Sequence, residues 1–456
     1  MTDFAISRNP TTGEILAQYP MQNASELEQA LNTSATAYKE WRQSSMATRV
    51  SVLRQLSQQL REREPELTRM ITLEMGKPVA QARGEILKCA NLCDWYAEHG
   101  PAMLADQPSQ VPDAWQSFRP IGVILAVMPW NFPFWQVLRG AVGMLLAGNT
   151  YLLKHAPNVM GSATLMAELF DATDLPKGGF NVINVDNEGV SAAIKDDRIA
   201  AVAVTGSVRA GAAIAAQAGA ALKKTVLELG GSDPFIVLAD ADLDEAVKSA
   251  VTGRYQNTGQ VCMAAKRFII EASIADEFEK RFVDAVKSLK IGDPLDEQTF
   301  IGPMARADLR DELDEQVKAS LREGARLVLG GEKIAGQGNY YAPTILADVT
   351  NDMTAFRQEL FGPVAAIAVA NDAQHALEIA NNSDFGLSAT VWTADEEVAA
   401  RMSDELEVGA VFINGNGASD PRVTIGGVKK SGYGRELSHF GVHEFCNVQT
   451  VWKNRR

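Results

Sequence analysis

Gln256-Asn257-Thr258-Gly259-Gln260-Val261-Cys262 is a polar, glycine-bearing turn that ends in a single cysteine just ahead of the apolar run Phe268 to Ile270. A thiol where a loop meets a helix feels backbone N–H groups and the positive end of the helix dipole, and both favour the thiolate. That placement suits Cys262 to be a nucleophile; the alternative is a small apolar side chain that packs. Upstream, Val226-Leu227-Glu228-Leu229-Gly230-Gly231 sets a carboxylate inside an apolar run. Partial burial there would raise a carboxyl pKa, and by itself such a residue reads as a partner for a structural cation. Pro129-Trp130-Asn131-Phe132-Pro133 holds an amide in an aromatic- and proline-rich loop, which by itself reads as a turn-former.

The other cysteines carry no comparable context. Cys89 and Cys93 stand at i,i+4 spacing within Ile86 to Tyr96, without nearby His or further Cys, so they read as core and no metal site is expected. Four cysteines in 456 residues do not make a disulfide framework, and a reducing cytoplasm suits them. A net charge of −14 lacks the basic face that a nucleic acid requires. The opening Met1-Thr2-Asp3-Phe4 has no signal-peptide pattern. Pro120 to Leu138 carries no charged residue, but Pro129, Asn131, Pro133 and Gln136 interrupt it, which argues for strand, loop and helix over a membrane span.

The length implies two or three domains. Ser25 and Glu28 suggest a capping box ahead of Leu27, Leu31, Tyr38 and Trp41. Val50, Leu53, Leu56 and Leu60 form a second helical stripe; Glu64-Pro65 starts a third helix, stopped at Gly76. From Ile121 the pattern becomes short apolar runs, Ile121 to Met128, Tyr151 to Leu153, Phe180 to Val185, Ile199 to Val204 and Thr225 to Leu229. Runs unbroken by polar alternation are the pattern of strands buried on both faces of a parallel sheet, so the class is α/β and Rossmann-like. Thr205-Gly206-Ser207-Val208-Arg209-Ala210-Gly211 turns into a helix over Ala212 to Leu222; it serves a dinucleotide or is an ordinary strand-helix turn. A second α/β region starts at Pro234 to Leu238 and includes a helix through Leu309, Leu313, Val317 and Leu321, ending at Gly324.

Taken together, Glu228 to Gly231, Gly259-Gln260-Val261-Cys262, Glu359-Leu360-Phe361-Gly362-Pro363 and Ser431-Gly432-Tyr433-Gly434-Arg435-Glu436 resemble the NAD(P)-dependent aldehyde dehydrogenase superfamily, from near Asn9 to the C-terminus. The resemblance implies a cofactor-binding domain of residues 1–105 and 121–229, a catalytic domain of 230–425, and an oligomerisation arm and tail of 106–120 and 426–456. In such an arm the tail strand Glu444 to Trp452, with Gln116 to Arg119 as companion, joins a neighbouring subunit in a homodimer or homotetramer. It implies Cys262 as nucleophile, Asn131 as oxyanion donor and Glu228 as base toward water. NAD or NADP would meet Trp130, Lys154, Pro157, Gly206, Ser207, Gly211, Leu229, Glu359 and Phe361; Lys154 otherwise reads as an ordinary strand-end lysine. Pro157 stands where many NAD-preferring relatives have a glutamate, so NADP is admitted.

Trp135, Arg139 and Ser419 match positions in family members that oxidise succinate semialdehyde, and the similarity is strongest to a bacterial type carrying Asn91 to Tyr96 and Lys154 to Pro157. Arg139, eight residues past Asn131, would sit about two helical turns along and aim at a distal carboxylate. Two departures stand out. Many such enzymes have a second arginine where this chain has Gln256, and Thr424-Ile425-Gly426-Gly427 replaces the usual Pro-Phe-Gly-Gly. The alternatives are a broader aliphatic aldehyde dehydrogenase, a cofactor-free thiol hydrolase and a coenzyme A-acylating relative; Glu228 argues against the last.

Overall fold

The five apolar runs in the middle of the chain become adjacent parallel strands, as segments buried on both faces should. In the computed structural model, which describes residues 4–453, they are Val123–Met128, Thr150–His155, Phe180–Ile183, Ile199–Thr205 and Lys224–Glu228. Val123–Met128 is flanked on one side by Thr150–His155 and then Phe180–Ile183, on the other by Ile199–Thr205 and then Lys224–Glu228. The chain therefore reverses its direction of travel between Val123–Met128 and Ile199–Thr205, which is where open α/β sheets leave a crevice at their carboxyl ends. Pro129 to Asn131 and Gly206-Ser207 are the segments that leave those two strands. Gly432–Tyr433 adds an antiparallel edge beside Lys224–Glu228, so part of the tail belongs to this sheet.

A second, seven-stranded sheet runs in the order Arg326–Leu329, Thr344–Ala347, Val364–Ala370, Ala265–Glu271, Asp233–Val237, Ser388–Trp392, Ala410–Ile413. Only the first of these is antiparallel to its neighbour. The tail strand Cys446–Trp452 pairs with Ala114–Pro120, close to the expected bounds, and Gln107–Pro108 extends that small sheet.

Three helices, Met46–Glu62, Glu64–Met75 and Val79–Met103, build a layer on one face of the first sheet, while Ala24–Trp41 packs Leu27 and Leu31 against the other face. Leu53, Leu56 and Leu60 are buried with Ile86, Cys89 and Cys93, which confirms both cysteines as core. Gly76 ends the third helix at φ 78°, a left-handed position that glycine takes without a Cβ clash. The first helix is capped two residues earlier than expected. Asn23 Oδ1 accepts from the Ser25 and Glu26 amides and Glu26 accepts in return from Asn23 N at 2.7 Å, leaving Glu28 to pair with Arg198. The helix expected over Ala212 to Leu222 starts at Val208 and ends at Ala220, because Ser207 Oγ accepts from Ala210 N at 3.3 Å and caps it. No described helix is long and apolar enough to cross a membrane. Met1 to Asp3, read above for a signal pattern, lie outside the described residues.

Candidate active site

The cysteine loop is a strained turn held by many bonds. Asn257, Thr258 and Gly259 take φ of 54°, 55° and 71° in succession, a left-handed stretch that costs a non-glycine residue about 1–2 kcal/mol each. Asn257 N donates to Gln81 Oε1 at 2.7 Å, and Asn257 Nδ2 donates to Asn131 O at 2.9 Å and Gln260 O at 3.1 Å. The buried Arg254 guanidinium bonds the carbonyls of Gly259, Leu360 and Gly362, tying this turn to the segment bearing Glu359 and Phe361. Cys262 leads into the strand Ala265–Glu271, so the expected helix N-terminus is absent. The thiolate expectation is corrected with it. Burial pushes the Cys262 thiol up to about 11, against the pull of Arg139 and Lys266 and with a further push from Glu228 and Glu359.

Asn131 is positioned from below. Its loop leads into the helix Trp135–Ala147, whose first turn has no local side-chain cap. Glu85, from the neighbouring helix, supplies one instead: Oε1 accepts from Phe134 N at 2.9 Å and Trp135 N at 3.0 Å. Glu85 is itself paired with buried Lys77, whose ammonium lies 3.6 Å from the Phe132 ring centroid. His155 bonds Pro133 O at 3.0 Å, and burial drives its imidazole down to about 4, hence neutral. Asn131 Nδ2 donates to Gln260 O at 3.1 Å, directly beside the cysteine turn. The Cys262 amide has no backbone acceptor among the described residues.

Glu228 ends its strand 3% exposed, with Oε1 lacking any hydrogen bond. Desolvation raises its carboxyl to about 8, Arg139 opposing and Glu436 reinforcing. Arg139, expected to aim at a distal carboxylate, is a buried guanidinium, ion-paired through Nε with Glu436 and with Nη2 3.9 Å from Glu228 Oε2. Its charge is thus largely countered within the protein, although Nη2 makes no hydrogen bond. Trp135 and Ser419 do converge, on a residue that the sequence did not single out: Lys88 Nζ lies 4.0 Å from the Trp135 ring centroid and donates to Ser419 Oγ at 2.8 Å. The available signal was a lone charge within the otherwise uncharged run Ile86 to Cys93.

A cleft of about 920 Å³ spans the two sheets and is lined by Trp130, Asn131, Gly206, Ser207, Leu229, Cys262, Glu359 and Phe361, among others. Its chemistry fits a dinucleotide. A Cβ at Gly206 would meet no protein atom, Thr205 Oγ1 is buried without a partner, and Ser207 opens a helix N-terminus. Lys154 stands near the end of its strand, and burial lowers its pKa with no carboxylate opposing. Trp130 meets Phe361 edge-on at 5.7 Å. Glu359 Oε1 accepts from Gly231 N at 3.1 Å and Lys266 Nζ at 3.2 Å, which leaves Oε2 to other donors. Pro157 starts a one-turn helix just past Lys154. Gly211 and Leu229 have a packing role: a Cβ on Gly211 would run into the Leu229 side chain.

The cleft between the two α/β sheets holds Cys262 and Asn131 in its wall beside a dinucleotide-like cradle, the layout of a cofactor-dependent oxidoreductase with a thiol in its site. Residues 3–451 match the Aldehyde dehydrogenase family, and the chain belongs to it. It is 64% identical over 453 residues to the succinate semialdehyde dehydrogenase (NAD(P)+) Sad of Escherichia coli K12, covering 99% of this chain and 98% of that protein. A probable succinate-semialdehyde dehydrogenase (NADP(+)) of Synechocystis is 46% identical, over 97% of this chain and 98% of the relative. Among solved structures, succinic semialdehyde dehydrogenase from Streptococcus pyogenes in complex with NADP+ superposes with a TM-score of 0.96 at 36% identity, covering 99% of this chain and 100% of that one.

Proposed function

We propose that this aldehyde dehydrogenase oxidises succinate semialdehyde, or a close ω-carboxylated aldehyde, to the acid with NAD(P)+. The 64% identity to Sad carries the reading; supporting it are Asn131 Nδ2 on Gln260 O beside Cys262, Arg139 within 3.9 Å of Glu228, and Lys88 resting on Trp135 and Ser419. Cys262 Sγ adds to the aldehyde carbon and its proton passes to solvent or to Glu228. The oxygen of the thiohemiacetal takes hydrogen bonds from Asn131 Nδ2 and the Cys262 amide. When bound, NAD(P)+ would supply the acceptor for the hydride whose bond to the thiohemiacetal carbon breaks as the thioester forms. Glu228 then takes a proton from the water that attacks the thioester, which frees the acid and returns the thiol.

Lys154, Gly206, Ser207, Trp130, Glu359 and Phe361 would hold the cofactor, and Leu229 with Gly211 would shape the floor beneath it. Pro157 puts no carboxylate beside the expected ribose, so both cofactors are admitted. The same reading keeps the three-part division at residues 105, 120, 229 and 425, the strand Cys446–Trp452 as an inter-subunit edge of a dimer or tetramer, and a cytoplasmic location. Crossing a panel of small aldehydes with NAD+ and NADP+, and measuring reduced nicotinamide, tests the reading. The expected result is a kcat/KM for succinate semialdehyde well above that for butanal; equal values, or no reduction of either cofactor, would refute it.

A further inference from the structure

Arg139 shares its charge with Glu436 and Glu228, and Gln256 offers no second guanidinium, so a substrate carboxylate lacks an obvious counter-ion. Lys88 is the uncommitted cation nearby. It projects from the helix Val79–Met103 onto the ring of Trp135, which stands one helical turn from Arg139 on the same face. Its ammonium donates to Ser419 Oγ, and no carboxylate among the described residues forms an ion pair with it. The carboxylates nearest in charge are already engaged: Glu85 with Lys77 and the helix N-terminus, Asp420 with Arg422. Trp135 Nε1 and Arg139 Nη2 are buried without acceptors.

We propose that Lys88 is the principal counter-ion for the distal carboxylate of the substrate, with Ser419 and Arg139 Nη2 completing the seat and the Trp135 ring bracing the ammonium. This deepens the function proposed above and rests on it. Physically, a half-buried ammonium beside a guanidinium is unfavourable until an anion arrives. Burial and Arg139 together draw the Lys88 ammonium down, to about 8, against Cys89, Glu85 and Asp420. A carboxylate placed between Lys88 and Arg139 relieves that cost and gives a charge-assisted hydrogen bond.

The test is Lys88→Met, which roughly keeps the side-chain length and removes the charge. The readouts are the kcat/KM ratio for succinate semialdehyde over butanal, and the inhibition constant of succinate against butanal oxidation. A charge-assisted bond of this kind corresponds to about 10- to 100-fold. The ratio should fall by that factor, mostly through KM, and succinate should inhibit correspondingly less. A ratio and an inhibition constant both unchanged in a variant that still oxidises butanal would overturn the assignment. If the wild type shows no preference for succinate semialdehyde, the functional reading fails by itself. The succinate inhibition constant, which needs only the carboxylate seat, then decides for or against Lys88.

Discussion

Replacing Glu436 by Gln should move the pH dependence of turnover to the acid side. Glu436 holds Arg139 in a buried ion pair, and its negative charge also raises the Glu228 carboxyl. The variant keeps the shape, deletes the repulsion and leaves Glu228, 3.9 Å away, as the remaining carboxylate facing Arg139. The Arg139 attraction, about 4 kcal/mol at that separation and an effective dielectric of about 20, persists in the variant, and what is lost is the opposing Glu436 repulsion, a smaller part of the balance. Solvent and neighbouring groups share the change, so a fall of Glu228 from about 8 to about 7 or lower, at least about 1.4 kcal/mol, is the expectation. On the proposed mechanism Glu228 works as a base in its ionised form, so a lower pKa brings full activity at lower pH. The assay is the pH profile of the slow phase after the first turnover, where thioester hydrolysis limits. The melting temperature should also drop, since breaking a buried pair costs about 3–5 kcal/mol. An unmoved or alkaline-shifted profile in folded protein would refute the electrostatic reasoning.

Gly206→Ala adds a methyl that meets no protein atom; the melting temperature without cofactor should stay within about 0.5 kcal/mol equivalent of wild type, while the Kd for NAD(P)+ measured by fluorescence titration should rise at least about fivefold. Arg254→Met removes the clamp on the Gly259, Leu360 and Gly362 carbonyls; stability should fall by about 3 kcal/mol or more in a denaturant titration, and kcat should fall with it as Cys262 and Glu359 lose their mutual placement.

The first sheet was legible because its strands are buried on both faces, and burial on both faces leaves a continuous apolar run in the sequence. Cys262, Glu228 and Asn131 stood out in the sequence because each sits in a short local motif, and Asn131 and Cys262 share a cleft wall. What escaped is carried by pairs far apart in the chain: Lys88 with Ser419, Arg139 with Glu436, Glu85 with the helix that Asn131 precedes. No local pattern signals that a lysine on one helix will lean on a tryptophan of another. The first helix cap was misplaced for a different reason. Asn23-x-x-Glu26 and Ser25-x-x-Glu28 both satisfy the capping rule, and only the packing of Leu27 and Leu31 selects the register. The supposed helix after Cys262 failed because Phe268 to Ile270 are apolar and β-prone, and become a central strand of the second sheet.

The most direct test of the account is to trap the intermediate. Glu228→Gln leaves Cys262 and Asn131 intact and removes the base, so mixing it with succinate semialdehyde and NAD(P)+ should give a burst of reduced nicotinamide approaching one per site, then slow turnover. Acid quench at the end of the burst, then peptide mass analysis, should find the acyl group on Cys262 alone. An absence of any acylated peptide during a full burst, or the group on Cys89, Cys93 or Cys446, would contradict the mechanism.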